Sequence, residues 1–259
     1  MPQRVQSLDR ALDLLEALAS TDELGVSEVA AKTGLVPSTA HRLLGTLVAR
    51  GYAAQSPNSG RYLLGYKLLE LTSGLQDRLH RLKTAARPHL EVIQAETGET
   101  TNLVVLEGRD VVYVDSVSGT RSVRLFTEIG RAIPAHTSGA GKALLAWRDL
   151  GEVAALLGGT ALQPSTPRTL TTLDALQDDF TKIRRRGYST DNEEHELGVA
   201  CVATPVFDHT GLPLAAISVS GPTPRILHAE TADMAGLLRE HAEQVSEALG
   251  ATRPAAGPR

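Results

Sequence analysis

Apolar positions recur at helical spacing in three short runs at the start of the chain. Over residues 7–19, Leu8, Ala11, Leu12, Leu15 and Leu18 share one face and predict an amphipathic helix. The second run contains Val29 and Ala30, with Ser27 as the expected N-cap and Gly34 as the stop. The third begins at Pro37, which a first helical turn tolerates because the missing N–H has no partner there anyway. Ala40, Leu43, Leu44 and Leu47 then fall at i, i+3, i+4 and i+7, a buried stripe. The opposite face carries Ser38, Thr39, His41, Arg42 and Thr46, short or cationic groups suited to phosphates and base edges. Two helices joined by a tight turn, the second polar on its outer face, form a helix-turn-helix that reads a DNA major groove. The helix over 7–19 is expected to pack across them as a three-helix core. Gly45, midway along the reading helix, costs about 1 kcal/mol against alanine and permits close approach of DNA or a neighbouring helix.

After Tyr52 the period drops to two. Residues 53–55 and 61–64 flank Pro57-Asn58-Ser59-Gly60 and predict a β-hairpin, the wing of a winged helix. Arg61 at its base is either a phosphate or minor-groove contact or a solvated cation. Helical spacing returns over 65–82, where Leu68, Leu71, Leu75, Leu79 and Leu82 form a leucine seam. The seam packs either on the next domain or on a second copy of the chain.

Beyond residue 83 helices and strands mix. Helices are predicted over 84–96 (with Pro88 in its first turns), 139–147, 150–157, 173–186 and 229–249. Strands are predicted over 101–106 and 111–117 around Gly108-Arg109-Asp110, over 121–126, and over 200–207 and 214–220 around Asp208-His209-Thr210-Gly211. Hairpin-joined strands covered by helices make an α+β domain with an antiparallel sheet. The chain thus divides into a DNA-binding domain over 1–65, a linker helix over 66–82, a second domain over 83–250, and a Pro/Gly/Ala tail over 251–259 expected to be disordered. Arg184-Arg185-Arg186 precede Gly187 and read as cations that offset a helix C-terminus.

Charge sharpens the first half. The net charge is −4, yet no Asp or Glu occurs between Val29 and Leu69, where Lys32, Arg42, Arg50, Arg61 and Lys67 all stand. A net-negative chain that clears acids from one window presents a surface to a polyanion. The single cysteine, Cys201, excludes an internal disulfide framework and suits a reducing cytoplasm. Met1-Pro2-Gln3-Arg4 leads into a charged helix rather than an apolar leader, and no run approaches 18 apolar residues, so no membrane segment is expected.

Motifs along nearly the whole chain carry a family resemblance. Ser38-Thr39-Ala40-His41-Arg42-Leu43-Leu44, Leu47, Gly51-Tyr52 and Tyr62-Leu63-Leu64-Gly65 resemble the DNA-binding half of the isocitrate-lyase-regulator (IclR) family. The second half is similar in order: Arg87-Pro88, Thr97-Gly98-Glu99-Thr100, His136-Thr137-Ser138-Gly139-Ala140-Gly141-Lys142-Ala143 and Gly187-Tyr188-Ser189-Thr190-Asp191. Glu194, Gly198-Val199-Ala200-Cys201-Val202-Ala203-Thr204-Pro205-Val206 and Ser218-Val219-Ser220-Gly221-Pro222 complete it. The resemblance implies a winged helix, a linker helix and a GAF/PAS-like effector domain that binds a small metabolite, in dimers or dimers of dimers. Gly139 and Thr204 stand where the family often has alanine, which bears on ligand choice.

Small residues around Gly139 and Ala140 immediately precede a helix, and their free N–H groups with the dipole behind them attract a carboxylate. The stretch is not a phosphate loop, since GxxxxGK[ST] needs Gly at 136 and Ser or Thr at 143. Ser218 and Ser220 share a strand face at i, i+2, and by resemblance Asp191, Cys201, Ser218 and Ser220 line the effector cavity. The expected function is a ligand-responsive regulator that binds operator DNA and a small carboxylic acid, needs no cofactor and forms a homo-oligomer. Two other readings use the same residues. Cys201 with His136 or His195 would be a nucleophile–base pair, without an evident third group to orient it. Asp191, Cys201 and a histidine would be a zinc site, with spacing that matches no closed zinc motif.

Overall fold

The computed structural model describes residues 5–159, 162–228 and 230–251, in two compact units that divide between Arg78 and Leu79. The expected tail, from residue 252 on, lies outside the described residues, as does Ala229 at the predicted start of the last helix. The first unit contains helices α1 (Gln6–Ala19), α2 (Val26–Thr33) and α3 (Pro37–Ala49), then an antiparallel hairpin of β1 (Ala53–Gln55) and β2 (Tyr62–Leu64). Its core joins the predicted Val29 and Ala30, then Ala40, Leu44 and Leu47, closed by Ala53 and Tyr62 of the hairpin, but α1 departs from its predicted face: it buries Leu14 and Leu18, and Leu8 and Leu12 face solvent.

Helix α2 stops where expected, at Gly34, whose φ of 68° lies in the left-handed region that glycine enters freely. Its start differs from expectation. Gly25, not Ser27, is the N-cap, and the Glu28 carboxylate accepts the Gly25 N–H at 2.6 Å. Glu28 at the third helical position reaches back to an otherwise unpaired donor, so Ser27 falls inside the first turn.

Helix α4 (Lys67–Thr97) is continuous over 31 residues, where the sequence predicted two helices, 65–82 and 84–96. Pro88 lies within it and removes one backbone hydrogen bond, at a cost of about 3 kcal/mol. Leu82, Ala86, Leu90 and Ile93 are buried along one seam on either side of that proline. Burial of each large side chain contributes about 1.5–3 kcal/mol, so tertiary packing outweighs the local break. The predicted leucine seam is split as a result. Leu82 is fully buried and Leu79 partly, whereas Leu71 and Leu75 face solvent.

The second unit is built on a six-stranded antiparallel sheet in the order β5-β4-β3-β8-β7-β6. The strands are β3 (Thr100–Glu107), β4 (Asp110–Val117), β5 (Ala132–Pro134), β6 (Ser189–Asn192), β7 (Val199–Phe207) and β8 (Pro213–Pro222). The later half of α4 and α9 (Thr231–Ala248) cover one face; α5 (Gly139–Leu145), α6 (Leu150–Leu157) and α7 (Leu173–Arg186) cover the other. A short turn of helix, α8 (Thr223–Ile226), joins β8 to α9. Period-two alternation sorts β7 between the two layers: Ala200 and Val202 join one core, Cys201 and Ala203 the other.

The strand predicted over 121–126 is absent, and β5 pairs with β4 instead. Side chains take the backbone carbonyls that a ladder would need: the Thr100 hydroxyl donates to Leu125 O at 2.6 Å and Arg225 Nη2 to Val123 O at 2.7 Å. Residues 118–131 are therefore a loop tied to the sheet. Strand β6, Ser-Thr-Asp-Asn, has little strand propensity of its own and forms because β7 offers it an edge.

Candidate functional site

The outer face of α3 is arranged as predicted. Ser38, His41, Arg42 and Thr46 are exposed and Thr39 half-buried, while Ala40, Leu44 and Leu47 are buried. A Cβ on Gly45 would meet nothing within 4 Å, so this face is open to close approach. Arg61 is part-exposed and makes an ion pair that the sequence did not predict. Its Nη2 lies 2.5 Å from a Glu28 carboxylate oxygen and 3.2 Å from the Glu23 carbonyl, which ties the wing to the start of α2. The Gly25 amide, with the Arg61 charge beside it, holds the Glu28 carboxyl below its usual range.

In the second unit, sheet register does what spacing alone does not specify. Thr100, Ser220, Cys201 and Asp191 pair in one row across β3, β8, β7 and β6, and Asn102 and Ser218 pair in the next. Directly paired residues share a face, so Asp191, Cys201, Ser218 and Ser220 converge. Together with Ala140 they line a cavity with ≈50 Å³ of free space. Asn102 Nδ2 reaches both Ser218 and Ser220 at 3.5 Å, and its Oδ1 accepts from Ser116 at 2.9 Å.

Gly139 has a packing role that the sequence did not predict. A Cβ there would lie 3.1 Å from Cys201 Sγ and 3.3 Å from the Asp191 nitrogen, and its carbonyl accepts the Ser189 hydroxyl at 2.5 Å. It is the clearance that lets α5 rest on β6 and β7. Sequence reasoning also missed most of the lining, the Glu196 carboxylate included. Tyr113 comes from β4, Phe126 and Arg131 from the loop over 118–131, and Ser138 from the start of α5. Alternation from buried Val111 points to Tyr113; nothing local points to Arg131, which brings a full positive charge where only backbone amides were expected.

The turn after β6 carries His195, also in the lining, and is held from several sides. Glu193 adopts a left-handed φ of 62°. The Asp191 carboxylate accepts the Glu194 N–H at 2.7 Å, and the Thr166 and Thr169 hydroxyls donate to the Glu193 and Glu194 carbonyls at 2.7 and 2.6 Å. Buried Lys142 of α5 places Nζ 2.6 and 2.7 Å from the two Glu194 oxygens and 3.0 Å from Asp179 of α7. Tight anchoring from both helices offsets the strain of the turn.

Burial pushes the Cys201 thiol up to about 12, with the Asp191 charge adding to it, so it is protonated and a poor nucleophile at neutral pH. His136, the other candidate base, faces the Gln163 carbonyl at 3.0 Å. Among the described residues no three His, Cys, Asp or Glu side chains are grouped to hold a metal ion. Burial also raises Asp191 to about 7, against 3.8 for a free carboxyl. The native state thus keeps a proton that the unfolded chain has released above about pH 4. Asp191 therefore favours folding most below pH 4, and that contribution is lost as pH climbs to about 7. Asp191→Asn keeps the oxygen that accepts from Glu194 and removes the charge. It should leave stability unchanged near pH 4 and raise it on the order of a few kcal/mol at pH 8, read by denaturant titration at both pH values. A variant less stable than wild type at pH 8 would contradict a buried, costly charge.

A winged helix-turn-helix followed by an antiparallel-sheet domain with an enclosed polar cavity defines a DNA-binding regulator with a C-terminal effector domain. Residues 7–57 match the IclR helix-turn-helix domain, and residues 77–247 match the C-terminal domain of bacterial transcriptional regulators of the IclR type. The chain belongs to the IclR family of transcriptional regulators. It is 37% identical to the HTH-type transcriptional regulator XynR of Escherichia coli, over 95% of this chain and 98% of that one. The crystal structure of Thermotoga maritima IclR superposes with a TM-score of 0.77 at 34% identity, covering 95% of this chain and all of the other. An IclR homologue from Microbacterium hydrocarbonoxydans, solved in complex with 4-hydroxybenzoate, gives 0.75 at 27% identity over 94% and 98% of the two chains.

Proposed function

We propose that this regulator controls a catabolic or metabolic operon in the cytoplasm, binds its operator through the outer face of α3 as a homo-oligomer, and answers a small carboxylic acid. The observation that carries the acid is the Arg131 end of the cavity: Arg131 supplies a cation beside hydroxyl and amide donors, Asp191, raised to about 7, is neutral for a large part of the time near that pH, and the one other carboxylate of the lining, Glu196, sits next to His195 in the chain. Ser38, Thr39, His41, Arg42 and Thr46 supply the DNA contacts; Arg61 supports the wing. Effector and operator are linked when the acid binds one arrangement of the paired DNA-binding domains better than the other, and the coupling is reciprocal. A ligand larger than the free space displaces the loop over 118–131, which carries Phe126 and Arg131.

The test is a thermal-shift panel of short-chain and aromatic acids against their neutral amides. A true effector at a hundred times its dissociation constant stabilises the protein by about 2.7 kcal/mol. Acids should stabilise and amides should not, and Arg131→Ala should remove the difference. Equal stabilisation by acids and amides overturns the acid reading.

Oligomerisation is supported by the apolar side chains that face solvent in the first unit: Val5, Leu8 and Leu12 along α1, and Leu69, Leu71 and Leu75 along α4. Exposed apolar stripes of this kind mark contact surfaces, and one reading helix alone makes a small interface with DNA. Sedimentation at micromolar concentration should give a dimer or tetramer. Footprinting should give half-sites about 10 bp apart, or a multiple of that, between centres. A monomer that still binds operator tightly would be the contrary result.

A further inference from the structure

Thr137 lies in the single 3-10 turn (Ala135–Thr137) ahead of α5 and has one hydroxyl proton for two neighbours. Its Oγ1 is 2.9 Å from the Pro134 carbonyl oxygen and 3.0 Å from His195 Nδ1. A carbonyl oxygen only accepts, so the proton goes to Pro134. Oγ1 then presents a lone pair to Nδ1, and Nδ1 carries the ring proton. Burial and the Arg131 charge both hold the ring below its usual protonation range, so it is neutral near pH 7. Nε2 is left with a lone pair and no proton, and no donor meets it among the described residues. Thr137 orients this ring, and the network around Glu194 holds the backbone of the preceding residue.

We propose that His195 Nε2 selects the effector by requiring a hydrogen-bond donor on it, so that the cavity takes hydroxy acids, or acids bearing an N–H, in preference to the same acids without that group. The inference rests on the acid reading above and adds to it. Among the other side chains of the lining only the Glu196 carboxylate is likewise an acceptor, and the His195→Phe comparison below separates its share from that of Nε2. Arg131 donates, the hydroxyls of Tyr113, Ser138, Ser218 and Ser220 turn to donate or accept, and Asp191 already spends one oxygen on the Glu194 amide. Nε2 accepts only, and a ligand that dries it without offering a proton leaves it unpaired, which is how a polar site rejects an analogue lacking one hydroxyl.

The experiment uses the full-length protein and matched probes: lactate against propionate, and 4-hydroxybenzoate against benzoate, by calorimetry with the corresponding amides as controls. The hydroxy member of a pair should bind at least tenfold more tightly. His195→Phe should bring that ratio close to one without weakening the deoxy acid. His195→Gln, whose amide oxygen accepts near the Nε2 position, should keep part of the preference. Nitrogen NMR of the wild-type imidazole, assigned with the His195→Gln protein, reads the tautomer directly and does not depend on the phenylalanine variant folding. Acids that bind in an Arg131-dependent way with no hydroxyl preference, a preference that survives His195→Phe, or an Nε2–H tautomer each overturn this inference and leave the acid reading standing. Acids and amides that behave alike, or a panel in which no acid binds, overturn the acid reading and this inference with it.

Discussion

Lys142→Met should cost about 3–5 kcal/mol of folding stability, the expected range when one partner of a buried ion pair is removed. Lys142 is 1% exposed, and its ammonium group is met by both Glu194 oxygens and by Asp179. Methionine fills much of the volume but leaves two carboxylates facing an apolar side chain. Burial already raises the Glu194 carboxyl, and the Lys142 charge opposes that rise. Without the lysine, Glu194 binds a proton more readily in the folded state than in the unfolded one. The deficit should therefore shrink at pH 5 and grow at pH 8. Lys142→Met combined with Glu194→Leu should be less destabilised than Lys142→Met alone, because the stranded charge is gone as well. Because Glu194 precedes His195 and anchors its turn, both proteins should also lose ligand-induced stabilisation. Urea denaturation followed by circular dichroism at the two pH values measures the first effect. A cost under 1 kcal/mol, or one independent of pH, would mean that the cluster is not what holds α5, α7 and the turn after β6 together.

Arg42→Ala should weaken operator binding by about 1–3 kcal/mol, whereas Arg184→Ala should leave it unchanged. Arg42 is exposed on the polar face of α3, and no Asp or Glu lies between Val29 and Leu69 in the chain. Arg184 belongs to a basic triplet that resembles a nucleic-acid patch when read as sequence. Its guanidinium instead donates to the Ala146 carbonyl at the end of α5, at 2.5 Å, and Arg186 donates to the Tyr188 carbonyl at 2.6 Å. Titration of labelled operator at several salt concentrations separates two origins for the Arg42 effect. A guanine contact relaxes one base position in a binding-site selection, and a phosphate contact lowers the salt slope by about one. Equal small losses from both substitutions would remove α3 as the reading helix.

The two halves of the molecule were legible to different degrees. The cores of α2 and α3 follow from spacing, because Val29, Ala30, Ala40 and Leu44 are buried by the same periodicity that predicts their helices, whereas α1 buries Leu14 rather than the predicted Leu8 and Leu12, its leucines being numerous enough to offer two faces. The exposed face of α3 is the remainder of that pattern. In the second unit the strands β3, β4, β7 and β8 and their turns were legible, since each hairpin is marked by glycine at its tip, with φ of 58° at Gly108 and 81° at Gly211. The seam around Pro88 was misread because a proline rule weighs one backbone bond and cannot count the side chains that Leu82, Leu90 and Ile93 bury against the sheet. The clearance that Gly139 provides was not legible, because a glycine needed for clearance and one needed for a bare N–H look identical in a sequence.

What the sequence by itself determined is the apolar seams of α2 and α3, the alternation that sends Cys201 and Ala203 to one layer and Ala200 and Val202 to the other, and the acid-free window between Val29 and Leu69. Only the tertiary structure decided which faces meet. The row Ser220, Cys201, Asp191 exists because antiparallel register sets those positions opposite one another. Arg131 and Tyr113 join it from the far side of the sheet, and His195 is aimed by a threonine nearly sixty residues earlier in the chain, Thr137. Periodicity is a local property of three or four residues, whereas the hydrogen bonds that orient a cavity are made between strands and turns whose separation along the chain leaves no periodic trace.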